Sequence, residues 1–249
     1  DGLNLTWETL EGIAKHNGPV LPPVPRALAD YSVHHDLELA TNANAEAQVA
    51  ALSDDIAYNN HDLHDGLRAG LFTMDEIAAL PLLRGCFAEV DSAWPGLEAP
   101  RRQHEVLRRF FGLLVGDVID SARAALERLS PASAADIRAA DSMVVRFSPA
   151  VWADLKVVRD FLFTRMYRAP SVMEMRARVT KVVDELFNLF MDDVRLLPDE
   201  WRTQAGDGSD PQRHARTVGD YIAGMTDRFA LDEHARLTGK PVLPRRAGV

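Results

Sequence analysis

Apolar residues recur along this chain at intervals of three and four almost throughout, the period of an amphipathic α-helix. "HEVLRRFFGLLVGDVIDSARAALERL", residues 104–129, keeps that spacing until Ser130-Pro131. "PAVWADLKVVRDFLFTRMYRAP" predicts a helix with Pro149 near its start and Pro170 after its end. "VMEMRARVTKVVDELFNLFMDD" predicts another, and "PQRHARTVGDYIAGMTDRFALDEHARL" a further one, bent near Gly224. No period-two alternation persists long enough to argue for a sheet. The fold class expected is therefore all-α.

Three stretches interrupt the pattern. "NGPVLPPVPRAL" is too rich in proline for continuous helix and opens a loop expected near 18–44. "AWPGLEAP" and "QAGDGSDP" carry turn residues. None is long enough to mark a boundary, so residues 1–249 are expected to form a single all-α domain.

Composition narrows the classes. Apolar residues make up 47% of the 249, an ordinary globular level, and no run approaches the length of a membrane span. The opening "DGLNLTWETL" has no basic n-region and no apolar core, so no signal peptide is expected. The missing initiator methionine points to a start partway into a longer protein. Cys86 is the only cysteine, which removes intrachain disulfides and multi-cysteine zinc sites and suits a reducing cytoplasm. A formal charge of −9 disfavours nucleic acid and anionic membranes as partners.

The densest cluster of candidate chemistry is "SDDIAYNNHDLHDG", residues 53–66. His35-Asp36, His61-Asp62 and His64-Asp65 look like metal-binding pairs. A metal site needs more: both side chains on one ion, inside a shell that excludes bulk water. No such shell surrounds these pairs in the sequence, and all three are read as loop or surface residues. The sharper signal is Asp54, Tyr58 and Asp62. At about 100° per residue these positions fan across only ~80° of a helix, so all three can enter one cleft. "AQVAAL" just upstream would bury the same helix beside a core. An amphipathic helix with exposed aspartates satisfies the spacing equally well.

Four stretches, "GLNLTWETLEGIAKHNGP", "EAQVAALSDDIAYNNHDLHDGL", "FLFTRMYRAP" and "DYIAGMTDRFALDEHARL", together resemble the deoxyguanosinetriphosphate triphosphohydrolase family of the HD-domain superfamily, in the family's order and across nearly the whole chain. The resemblance implies an HD-type helical bundle. It also implies hydrolysis of a deoxynucleoside triphosphate to deoxynucleoside and inorganic triphosphate at a divalent metal, Mg²⁺ or Mn²⁺, and a homo-oligomer. It makes Asp54 the aspartate completing a metal set of His, His-Asp and Asp. Tyr58 and Asp62 become contacts on the 3′ side of the deoxyribose, and Lys15 in "AKHNGP" a phosphate contact. Arg159 and Tyr167 become later phosphate and sugar contacts, with Arg165 or Arg168 able to share the phosphate role and a surface salt bridge the competing reading of Arg159.

One departure matters. The family's first histidine, its His-Asp pair and its proton-transfer histidine precede "GLNLT", where this chain starts. The chain therefore resembles a C-terminal portion, incomplete at its N-terminus, with no catalytic residue of its own and no turnover expected from it alone. Two other readings stay open: an HD-superfamily phosphohydrolase for another nucleotide, and a non-catalytic helical module that binds nucleotide or assembles oligomers.

Overall fold

A computed structural model describes residues 3–206 and 209–240. Among these there are twelve α-helices and no strand, so the chain is all-α. A single domain over 1–249 was the expectation; the structure divides into two compact units, Asp1–Met166 and Tyr167–Val249.

The first unit contains α1 (Trp7–Ala14), α2 (Arg26–Ser32), α3 (Ala45–Arg68), α4 (Met74–Ala78), α5 (Pro81–Ala93), α6 (Ala99–Leu129), α7 (Ala134–Arg138) and α8 (Pro149–Leu162). The proline-rich stretch is thus not loop throughout, because α2 begins directly after Pro25. A pyrrolidine ring cannot donate a backbone N–H, but a helix's first residues need no such donor. The helix predicted over 104–129 begins earlier, at Ala99, for the same reason: Pro100 sits in its first turn. It ends where predicted, at Ser130, whose φ of 47° leaves the helical region. Leu63, Ile77, Leu83, Val106, Phe110 and Leu155 are among the first unit's fully buried side chains.

The second unit holds α9 (Pro170–Asp192), α10 (Asp199–Ala205), α11 (Pro211–Ala223) and α12 (Asp227–Thr238). The bend expected near Gly224 is a full break. Gly224 closes α11, and the Thr226 hydroxyl accepts from the Phe229 N–H at 3.3 Å to cap α12. Val182, Leu186, Phe190, Val218 and Tyr221 form this unit's core. The buried His234 meets Glu185 through Nε2 at 2.5 Å. In "QAGDGSDP", residues 207 and 208 lie outside the described residues.

Two details hold α1 against α3 and so set one edge of the site. Gly12 lets the helices touch: a Cβ there would lie 2.8 Å from the Ala47 Cβ. Asn44 caps α3 by accepting from the Ala47 N–H at 2.8 Å, and its amide donates to Glu11 Oε2 at 3.2 Å. The cap and the helix–helix contact therefore share one residue.

Candidate functional site

Helix α3 supplies one wall of a cleft of about 820 Å³ in the first unit. Asp54 and Tyr58 both line it, as their spacing predicts. Asp54 stands at the rim with its side chain 78% exposed, and His16 approaches its carboxylate at 4.0 Å. Tyr58 is more than half exposed. What burial it has, with the nearby charge of Asp62, pushes its phenol above the ordinary tyrosine range.

Asp62, one turn further along α3, is buried and is not one of the cleft walls. Burial pushes its carboxyl up and Asp65 adds to the rise, while His61 opposes it. The expected trio is therefore split: two residues face the opening and the third lies within the packed part of the helix.

Asp55 lines the same cleft as Asp54, although one residue of helix turns it by about 100°. The cleft is wide enough to take both. Asp55 is occupied: Arg159 Nη2 donates to Asp55 Oδ2, and Arg159 Nε donates to Asn59 Oδ1 at 3.3 Å. Arg159, expected at a phosphate, is thus paired with an aspartate and is not one of the cleft walls.

Lys15 also departs from the expected position. It is 1% exposed, with its ammonium 3.0 Å from Glu11 Oε1, 2.9 Å from Thr41 Oγ1 and 3.2 Å from the Asn42 carbonyl. Arg138 donates to the same Glu11 oxygen at 3.1 Å. Burial alone would raise the Glu11 carboxyl, but Arg138, Lys15 and Asn44 outweigh it and hold the carboxyl below the ordinary glutamate range. A buried carboxylate is tolerated when cations and donors surround it, and Lys15 is spent on that task. The Glu11–Lys15 spacing of i,i+4 was the sequence signal for this pair.

Tyr167 opens the second unit, across the boundary from the cleft residues. The eight-residue register from Arg159 assumed a regular helix. The chain instead leaves α8 at Leu162 and makes a π-helical turn, Phe163–Tyr167, which changes the rotation per residue. Arg165 donates to the Leu71 carbonyl at 3.4 Å and pairs with Glu76.

The apolar part of the cleft is one the sequence reading missed. Gln48 builds it: its amide nitrogen donates to the Ala43 carbonyl at 2.7 Å and its oxygen accepts from the Val145 N–H at 3.0 Å. This clamps the segment before α8 against α3. Asp117 accepts from the Ser148 N–H at 2.8 Å and fixes the start of α8. Met143, Phe147 and Trp152 then form an apolar face of the cleft. Their spacing fits no single helix period, because they straddle a loop and a helix start.

The donors for a metal are the right kind but too few. Asp54 and His16 offer a carboxylate and an imidazole, yet among the described residues no group of three His, Cys, Asp or Glu is placed to hold an ion. His35-Asp36, His61-Asp62 and His64-Asp65 do not form one either. Cys86 is buried, and burial pushes its thiol up to about 11, with Glu89 adding to the rise, which disfavours the thiolate. Among the described residues no helix is long and apolar enough to cross a membrane.

Comparison with known proteins now bears on this geometry. A deoxyguanosinetriphosphate triphosphohydrolase-like protein of Roseobacter denitrificans is 63% identical over 237 residues, covering 95% of this chain and 61% of the relative. One from Jannaschia sp. is 62% identical over 240 residues, covering 96% and 61%. This chain is similar to proteins of that name over nearly its whole length. A more distant one from Rhizobium etli is 46% identical over 245 residues, covering 95% of the chain and 60% of the relative. The chain thus spans about three fifths of the length of the curated relatives it matches. A family model described as a phosphohydrolase-associated domain matches residues 145–236, which include Trp152, Arg159 and Tyr167.

Proposed function

We propose that this chain forms the nucleoside-holding part of a triphosphohydrolase, and that the whole protein converts a deoxynucleoside triphosphate to deoxynucleoside and inorganic triphosphate. The observation that carries the reading is the pairing of Asp54 and Tyr58 on one face of α3, in a cleft also lined by Met143, Phe147 and Trp152. The relatives' name points to the same chemistry.

In this reading Tyr58 walls the sugar, and Asp62 accepts a hydrogen bond from its 3′-hydroxyl once the ring has passed the tyrosine. A divalent ion, Mg²⁺ or Mn²⁺, would take Asp54 as one ligand and its remaining ligands from elsewhere in the whole protein, and would supply Lewis acidity at the phosphate. Arg159 holds Asp55, Lys15 serves the buried Glu11 carboxylate, and Tyr167 keeps only the role that the resemblance implies.

Hard ions keep most of their waters unless several protein oxygens replace them. One carboxylate at an exposed rim therefore leaves this chain alone without turnover. The test compares the whole source polypeptide with the 249-residue chain, each folded and given Mn²⁺ and mixed dNTPs. Inorganic triphosphate should appear with the former and not the latter. Another product from a nucleotide panel would move the reading to a different phosphohydrolase. No product from either would leave a nucleotide-binding module.

A further inference from the structure

The apolar wall of the cleft has no role in the reading above, and its construction is specific. Trp152 is 46% exposed and Met143 40%. Both line the same cleft as Asp54 and Asp55. The indole is not loose. Phe147 stacks near it, with centroids 6.2 Å apart and planes 20° from parallel. The Arg159 guanidinium lies 4.8 Å from its ring centroid. Arg159 is in turn held by Asp55 and by Asn59. An aspartate on the polar wall thus fixes, through an arginine, the tryptophan of the apolar wall.

A large half-exposed indole, held on its own helix and facing a cleft of about 820 Å³, is an arrangement suited to a flat aromatic ligand. The ligand must also carry polar groups, because Asp54, His16 and Tyr58 line the same cleft. A purely apolar ligand would leave those groups desolvated and unpaired. We propose that Trp152 and Met143 are the base-contacting residues for a deoxynucleoside, with Asp55 and Arg159 positioning the indole. This rests on the reading of the cleft as a nucleoside site.

The arrangement also sets what the base subsite can discriminate. The buried Gln48 amide makes one hydrogen bond at each end, to the Ala43 carbonyl and the Val145 N–H, which fixes its orientation. Contact is to the face of the base, and every base has one. Purines should therefore be accepted alike.

Deoxyguanosine and deoxyadenosine test this directly, since neither carries phosphate nor needs a metal. Each is titrated against the 249-residue chain and followed by saturation-transfer NMR and tryptophan fluorescence. Saturation should reach the base protons more than the sugar protons, and the two nucleosides should bind within about threefold of each other. Trp152→Ala should weaken both by about tenfold, Trp152→Phe should restore most of the loss, and inorganic triphosphate should not displace the base signal. Met143→Ala, a truncation at a half-exposed side chain, should weaken binding by about threefold and serves if Trp152→Ala fails to fold. Unchanged binding in the variants that fold, or no binding of either nucleoside up to about 10 mM, overturns the proposal. Triphosphate release by the whole protein with unchanged binding in Trp152→Ala overturns the base wall alone. The binding pattern without triphosphate release overturns only the reaction proposed above.

Discussion

Asp55 and Arg159 stand 104 positions apart in the chain and form an ion pair, with Arg159 also donating to Asn59 at 3.3 Å. Helix α3 and helix α8 are joined there, directly beside the cleft. On α3, Asp55 is turned about 100° from Asp54. The pair gives Asp55 a structural role that Asp54 does not have.

A double-mutant cycle measures that role. The two side chains are 36% and 30% exposed, so solvent screens much of the attraction. Asp55→Ala, Arg159→Ala and the double variant should give a coupling of about 1 kcal/mol in urea unfolding. Asp54→Ala, at a side chain 78% exposed, should change stability by less than about 0.5 kcal/mol while abolishing metal-dependent turnover of the whole protein. Full activity in Asp54→Ala would remove it from the metal.

Lys15 separates a structural from a phosphate-binding role. Its ammonium and the Glu11 carboxylate are both fully buried. Lys15→Met removes one partner from a buried charge and should cost about 3 kcal/mol in chemical denaturation, softened by the remaining Arg138. A variant of unchanged stability but raised KM for the triphosphate would return Lys15 to the phosphate.

Glu11 gives the fold a defined pH dependence. Its folded-state carboxyl is held below the ordinary glutamate range despite its burial. A depressed carboxyl contributes stability that is present above the unfolded pKa of ~4.3 and is lost as pH falls through the folded value. Unfolding curves across the acid range should show this loss. Glu11→Gln should be less stable at neutral pH, and its stability should fall less on acidification. Parallel pH profiles for the two proteins would show that Glu11 is not the group responsible.

Asp62 has the opposite sign. Burial, with Asp65 adding, raises its carboxyl, so it binds a proton more readily folded than unfolded. Its charge therefore costs stability above the raised value, and Asp62→Asn should stabilise the chain at neutral pH, the gain shrinking as pH falls. Asp62→Ala should raise the whole protein's KM for a dNTP by roughly 5- to 150-fold, the worth of a buried hydrogen bond of about 1–3 kcal/mol. Equal use of 2′,3′-dideoxynucleotides by the unaltered protein would argue against any contact with the 3′-hydroxyl.

The sequence by itself determined the helices, because helical periodicity is local: each turn is specified by residues three and four apart. It located α6 and α9 closely, ended α6 at Ser130, and placed Asp54 and Tyr58 on a common face of α3. The family resemblance was likewise legible, since it is carried by short contiguous stretches such as "DDIAY".

Tertiary structure decided which way the remaining candidates turned. Lys15 and His16 are neighbours, yet the packing of α1 on α3 through Gly12 puts the first into a buried ion network and the second at the cleft. Arg159 faces Asp55 because α3 and α8 pack together, a contact no window of local sequence contains. The apolar wall depends on Gln48 reaching Val145, 97 residues away. Folding assigns these partners by long-range burial and hydrogen bonding, where an unpaired polar group costs more than local propensity can offset. Local patterning fixes the rotation of a residue on its helix, but only the neighbour across the interface decides whether that direction is core, ion pair or cleft.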